Sequence, residues 1–176
     1  MSRTDPMSTL KFGLDRLLAD AALRRPLGGR RVALLAHPAS VTRDLTHSLD
    51  ALAALPEVAL TAAFGPQHGL RGDKQDNMVE STDYVDPQHG IPVFSLYGEV
   101  RRPTDAMMGT FDVLLVDLQD LGCRIYTFIT TLRYVLEAAA QNRVIVVDGF
   151  IATSAVLVAQ ALRPLALQRC VFSHQS

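Results

Sequence analysis

Arg31-Val-Ala-Leu-Leu-Ala36, followed by the turn residues His37-Pro38-Ala39-Ser40, decides how this chain folds. An unbroken apolar run lacks the in–out alternation of a strand with one wet face. It fits a strand buried on both sides, as in a parallel sheet covered by helices. Three further runs repeat the pattern: Val58 to Phe64, Phe111-Asp-Val-Leu-Leu-Val-Asp117 and Arg143-Val-Ile-Val-Val-Asp148. Pro92-Val-Phe-Ser-Leu-Tyr97 is a shorter strand, and Arg169–Phe172 ends the series.

Between the strands the period changes to that of helices. Phe12, Leu14, Leu17, Leu18, Ala21 and Leu23 predict one short amphipathic helix, stopped by Pro26 and Gly28-Gly29. Leu45, Leu49, Leu52 and Leu55 predict another, stopped by Pro56. Pro103 sits at a first helical position, with Thr104 and Asp105 as early polar groups. Ile125, Ile129, Leu132, Leu136 and Ala139 share one side of a helix over 125–140, and a last helix spans Ile151–Leu162. Strands alternating with helices predict an α/β fold with a parallel sheet.

Composition removes several function classes. With 176 residues and a net charge of −1, the chain has no general electrostatic reason to bind nucleic acid or a membrane surface. A hydrophobic content of 48% excludes intrinsic disorder. Cys123 and Cys170 form neither a zinc framework nor a disulfide scaffold, so no metal is expected. No apolar run reaches the ~20 residues of a membrane span. With no leader-like start and reduced thiols, the expected location is the cytoplasm. Nothing bears on oligomeric state.

The periodicity lapses from Gly65 to Gly90, a stretch with two histidines, Arg71, Glu80 and several aspartates. Structureless loops beyond about 12–15 residues are usually functional or disordered, and these residue types favour function. Ligands of open α/β sheets bind beyond the carboxyl ends of the strands. There the sequence places His37, the Gly65-Pro-Gln-His-Gly69 turn, Asp117-Leu-Gln-Asp120 and Asp148. Each has a plainer role available: Asp117 and Asp148 as helix caps, His37 as a turn cap, Glu80 as solvated surface, and Arg101-Arg102 as a solvated pair. No glycine-rich phosphate cradle, HExxH box or nucleophile elbow occurs. Carboxylate, imidazole and amide groups on one edge suit carbohydrate hydrolysis.

Phe64-Gly-Pro-Gln-His-Gly-Leu-Arg-Gly-Asp73, Val79-Glu80-Ser81, Ile91-Pro-Val-Phe-Ser-Leu-Tyr-Gly98, Arg102-Pro103-Thr104 and Asp112-Val-Leu-Leu-Val-Asp-Leu-Gln-Asp120 occur in that order. With Gly122 and Arg124-Ile-Tyr-Thr127, they make residues 10–140 resemble the exo-acting β-N-acetylmuramidase family. The resemblance implies a Rossmann-like, three-layer catalytic domain followed by a smaller auxiliary domain. The expectation is the amino-terminal domain only, truncated, with the auxiliary domain missing. It implies release of terminal N-acetylmuramic acid from peptidoglycan fragments in wall recycling, with a muropeptide or related sugar as partner and no cofactor.

The family commonly has Glu where this chain has Gln67, and an amide cannot exchange a catalytic proton as a carboxyl group does. Glu80 is therefore the first candidate for the acid, with Asp117 next. His68 and Gln67 would position substrate or water, and Asp117 or Asp120 would stabilise positive charge. His37, Arg71, Gln119, Arg124 and Tyr126 complete the expected substrate-binding set.

A second departure follows residue 140. In place of the family's Asp-Arg-Pro-Asn-Pro, the chain reads Val144-Ile-Val-Val-Asp-Gly-Phe-Ile-Ala-Thr153 and later Val171-Phe-Ser-His-Gln-Ser176. This resembles nicotinate-nucleotide–dimethylbenzimidazole phosphoribosyltransferase, without that enzyme's later motifs. The expected division is 1–143, muramidase-type, and 144–176, a foreign-looking strand-helix-strand tail that completes the sheet. Two other readings stay open: a non-catalytic carbohydrate-binding or scaffold domain, and a phosphoribosyltransferase fragment.

Overall fold

The computed structural model describes residues 11–72, 80–120, 126–139, 144–148 and 170–172. Among these residues seven strands form one sheet: β1 (Arg31–Ala36), β2 (Ala59–Gly65), β3 (Tyr84–Val85), β4 (Pro92–Ser95), β5 (Val113–Asp117), β6 (Val144–Asp148) and β7 (Cys170–Phe172). Their spatial order is β3-β4-β2-β1-β5-β6-β7, and only the β3–β4 pair is antiparallel. Without the edge strand β3, the order reads third, second, first, fourth, fifth, sixth. That is the Rossmann arrangement, with its reversal between β1 and β5.

Among the described residues, five α-helices accompany the sheet: α1 (Gly13–Ala19), α2 (Ala21–Arg24), α3 (Ser48–Ala53), α4 (Asp105–Met108) and α5 (Phe128–Ala139). Strand side chains alternate between two cores, making three layers. Val32, Leu34, Ala36, Val113 and Leu115 pack with Leu14 and Leu17 of α1 and Leu49 and Leu52 of α3. Ala33, Leu35, Leu114 and Val116 pack on the opposite face with Met107, Phe111, Leu132 and Leu136. Thr61 is an extra residue in β2, because Val32 aligns with Leu60 and Ala33 with Ala62. This bulge reverses the facing of β2 and lets Ala62 and Phe64 join the α5 side. The Thr61 hydroxyl donates to the carbonyls of Val32 and Thr110.

Several expected elements differ in detail. The first helix is interrupted at Asp20, whose extended backbone ends α1 and whose carboxylate accepts the Ala22 N–H to start α2. The helix anticipated from Leu45 begins only at Ser48. Leu45 instead lies in a small hairpin closed by Val41 and His47, with φ +62° and its side chain in solvent. Pro103 precedes its helix, and Thr104 is the cap that accepts the Met107 N–H. In α5 the buried stripe is Phe128, Thr131, Leu132, Val135, Leu136 and Ala139, while Ile129 is 43% exposed. The expected helix over 151–162 lies outside the described residues.

The rotation of α5 is testable. Leu132→Ala should cost about 2–5 kcal/mol, whereas Ile129→Ala should stay within about 0.5 kcal/mol of the wild type. Urea unfolding midpoints compare the two, and equal losses would show that the stripe is misassigned.

Candidate functional site

The carboxyl ends of β1, β2 and β5 meet where the strand order reverses. Beyond β1, His37 is buried, and its Nε2 accepts the backbone N–H of Gln119 at 3.1 Å. Ser40 completes this clasp: its Oγ accepts the His37 N–H and donates to the Asp117 carbonyl. The buried Asp117 carboxylate takes a bond from Gln119 Nε2 at 3.1 Å. Asp120 is close enough to His37 to favour its charged form.

Beyond β2 the chain must double back tightly. A Cβ on Gly65 would stand 2.9 Å from Leu70 N, so only glycine fits that approach. His68 itself has φ +73°, a conformation that costs an L-residue about 1–2 kcal/mol. Its ring stands edge-on to Tyr126, with centroids 6.1 Å apart. Tyr126 stacks on Phe128 at 4.6 Å, and Phe128 meets the His37 ring at 4.9 Å. Gln67 Oε1 accepts the Thr127 hydroxyl at 3.1 Å. The structure thus gathers His37, Gln67, His68, Asp117, Gln119, Asp120 and Tyr126 at one edge.

Glu80 stands at the same edge, beyond β4. Its neighbour Ser81 donates N–H to the Tyr97 carbonyl at 3.1 Å and shares a hydroxyl bond with Ser95 at 2.7 Å. A Cβ on Gly98 would overlap the Ser81 carbonyl oxygen, which explains the glycine there. A cavity of about 150 Å³ opens beside this segment, lined by Gly65, Gly69, Ser81, Thr82, Tyr84 and Ser95 among others. Glu80 itself is exposed and meets Arg101 at 3.5 Å. Arg124 lies outside the described residues.

A sequence model described as Exo-beta-N-acetylmuramidase NamZ, N-terminal, matches residues 32–151. The chain belongs to this family. It is 42% identical over 141 residues to the peptidoglycan beta-N-acetylmuramidase NamZ of Bacillus subtilis (strain 168), covering 80% of this chain and 33% of that protein. A crystal structure of a DUF1343 family protein from Bacteroides fragilis NCTC 9343 superposes with a TM-score of 0.66 at 39% identity. That match covers 77% of this chain and 33% of the other. The chain therefore spans about a third of the length of these NamZ-like relatives. A shorter likeness, 66% over 41 residues, links 23% of the chain to 12% of the nicotinate-nucleotide–dimethylbenzimidazole phosphoribosyltransferase of Cupriavidus taiwanensis.

Within the NamZ-type edge, Arg71 is already engaged. Its guanidinium grips both oxygens of Asp50 at 2.7 Å and reaches Asp86 at 3.2 Å, while His89 Nε2 meets Asp50 at 2.8 Å. The Arg71 contact holds the Asp50 carboxyl well below the usual range. Burial alone would raise Asp86, but the His89 N–H and Arg71 outweigh it and lower that group too. The network ties the Gly65–Gly72 turn to α3 and to the turn before β4. The partners Asp50, Asp86 and His89 had no distinguishing sequence pattern, and neither did Ser40 or His47. His47 caps α3 through Nδ1, which accepts the Leu49 N–H, and its Nε2 faces the His37 carbonyl.

Arg101 and Arg102, expected as a solvated pair, diverge. Arg102 pairs with Glu137 and lies over Tyr134, whereas Arg101 lies over Tyr97. Among the described residues, no group of three or more His, Cys, Asp or Glu is placed to hold a metal ion. No helix among them is long and apolar enough to cross a membrane.

Burial, helped by the nearby His47, lowers His37 to about 4. The unfolded chain takes up this proton near pH 6.5, so between those values the unfolded state binds more protons. Stability from His37 is complete above about pH 6.5 and declines as pH falls toward 4, by roughly 3 kcal/mol at most. Burial lowers His47 as well, adding in the same direction. Urea midpoints from pH 8 to 4 should trace this decline, and His37→Gln should remove most of it. An unchanged slope in that variant would assign the titration elsewhere.

Proposed function

We propose that this chain is a glycoside hydrolase domain acting on terminal N-acetylmuramic acid of peptidoglycan fragments, in cell-wall turnover. The observation that carries the reading is the convergence of the Gln67-His68 turn, the Asp117–Asp120 strand end and Tyr126 on one edge of a NamZ-type sheet.

Cleavage of a glycosidic bond needs a proton for the departing oxygen and negative charge beside the cation-like sugar ring. Glu80 supplies the proton: it is exposed at the carboxyl edge, and its segment is pinned to the turn after β4. Asp117, oriented by the Gln119 amide, supplies the countercharge with Asp120. His68 and Gln67 orient the sugar or the attacking water, and Tyr126 completes the substrate-contacting set. Arg71 acts from behind by holding the His68 turn. Residues 1–143 form the muramidase-type unit in this reading. In the same reading residues 144–176 are a foreign-looking tail, overlapped by the family match over 144–151, and its strands β6 and β7 extend the sheet.

A second reading, a carbohydrate-binding domain without turnover, is favoured by Gln67. Its amide occupies a place where a carboxyl group would allow proton transfer.

A chromogenic N-acetylmuramic acid glycoside separates the two. Turnover should fall on the order of 10²–10⁴-fold in Glu80→Gln, with sugar binding retained. Full activity in that variant would remove Glu80 from the acid role. Saturable binding by the wild type without any turnover would favour the binding domain.

A further inference from the structure

Two arginines near this edge are held in different ways. The Arg71 fork is filled, with both nitrogens 2.7 Å from Asp50 oxygens. Among the described residues, Arg101 is not saturated in this manner. Its guanidinium carbon sits 3.6 Å above the centre of the Tyr97 ring. Among the described residues it meets one carboxylate, Glu80, at 3.5 Å, beyond the 2.7–2.9 Å typical of a charge-assisted hydrogen bond. The Arg101 and Glu80 side chains are 44% and 65% exposed. The ring contact restrains the guanidinium before any ligand arrives, which reduces the entropy lost on binding. Tyr97 is itself anchored, since its carbonyl accepts from Ser81 and its N–H donates to Ser95 Oγ. The result is a cation seated on an aromatic ring, with no short carboxylate bond among the described residues, beside the carboxyl group assigned to proton transfer.

We propose that Arg101, seated on Tyr97, binds the lactyl-ether carboxylate that distinguishes N-acetylmuramic acid from N-acetylglucosamine. This rests on the muramidase reading and adds the residue that selects the sugar. A planar carboxylate matches the guanidinium fork with two parallel bonds. Arg101 would then turn from its long contact with Glu80 to the substrate, leaving the Glu80 side chain to face the glycosidic oxygen.

The test is binding, followed by ligand-observed NMR and calorimetry on the intact chain. The probes are N-acetylmuramic acid, its methyl ester, N-acetylglucosamine and N-acetylmuramoyl-L-alanine. The wild type should prefer N-acetylmuramic acid over the ester and over N-acetylglucosamine by about tenfold. Arg101→Gln should erase that preference while leaving N-acetylglucosamine binding unchanged, and Arg101→Lys should keep part of it. A preference that survives Arg101→Gln would overturn the assignment and leave the muramidase reading standing. Equal binding of all four probes by the wild type would overturn it in the same way. Tight binding of the alanine amide would move the recognised carboxylate to the peptide stem and refute the lactyl contact. A wild type that binds none of these sugars would remove the muramidase reading and this proposal together.

Discussion

The carboxyl edge of the sheet depends on one clasp across the point where strand order reverses. Gln119 donates its backbone N–H to His37 Nε2, and Ser40 links the His37 N–H to the Asp117 carbonyl. These bonds join the turns after β1 and β5, the two strands at the centre of the site. The clasp requires a neutral imidazole, because a protonated ring has no acceptor. Burial supplies that condition by keeping His37 uncharged down to about pH 4. The histidine most deeply placed in the site is thereby committed to geometry, and its position sets those of Asp117, Gln119 and Asp120.

The turn after β2 is held from two sides. On one, the rings of His68, Tyr126, Phe128 and His37 make a continuous aromatic row, reinforced by Gln67 and Thr127. On the other, Arg71 binds Asp50 and the nearly inaccessible Asp86. A left-handed histidine persists only where its surroundings over-determine it. Ring contacts in front and a bidentate ion pair behind provide that support, and both end on elements packed into the main core.

Much of this was legible in the residues. Unbroken apolar runs such as Arg31–Ala36 carry the parallel sheet, because burial on both faces leaves no other pattern. The carboxyl-edge rule then finds His37, His68 and Asp117 without any knowledge of contacts. Pairings between distant loops were not legible. The partners of Arg71 could not be read from the sequence, because Asp50, Asp86 and His89 reach it from 15 to 21 residues away or through one another. Arg101 and Arg102 looked alike because adjacent residues in an irregular turn have no fixed relative direction. The break at Asp20 and the late start of α3 have a local cause: a side chain able to bond the backbone competes with helical continuation.

The two strands after residue 143 separate what a fold demands from what a site demands. β6 pairs with β5 in continuous parallel register, from Val113 with Val144 to Asp117 with Asp148, and β7 pairs with β6. A doubly covered sheet asks only that such a strand be apolar and in register. Val144-Ile-Val-Val-Asp148 meets that demand whether its ancestry is muramidase or phosphoribosyltransferase. Its last residue has a different status, because the register brings the Asp148 backbone level with Asp117 at the edge where the chemistry is assigned. A sheet can accept a borrowed strand at little energetic cost. The site can use one only if the residues leaving its carboxyl end suit the ligand, and that requirement cannot be met by hydrophobicity.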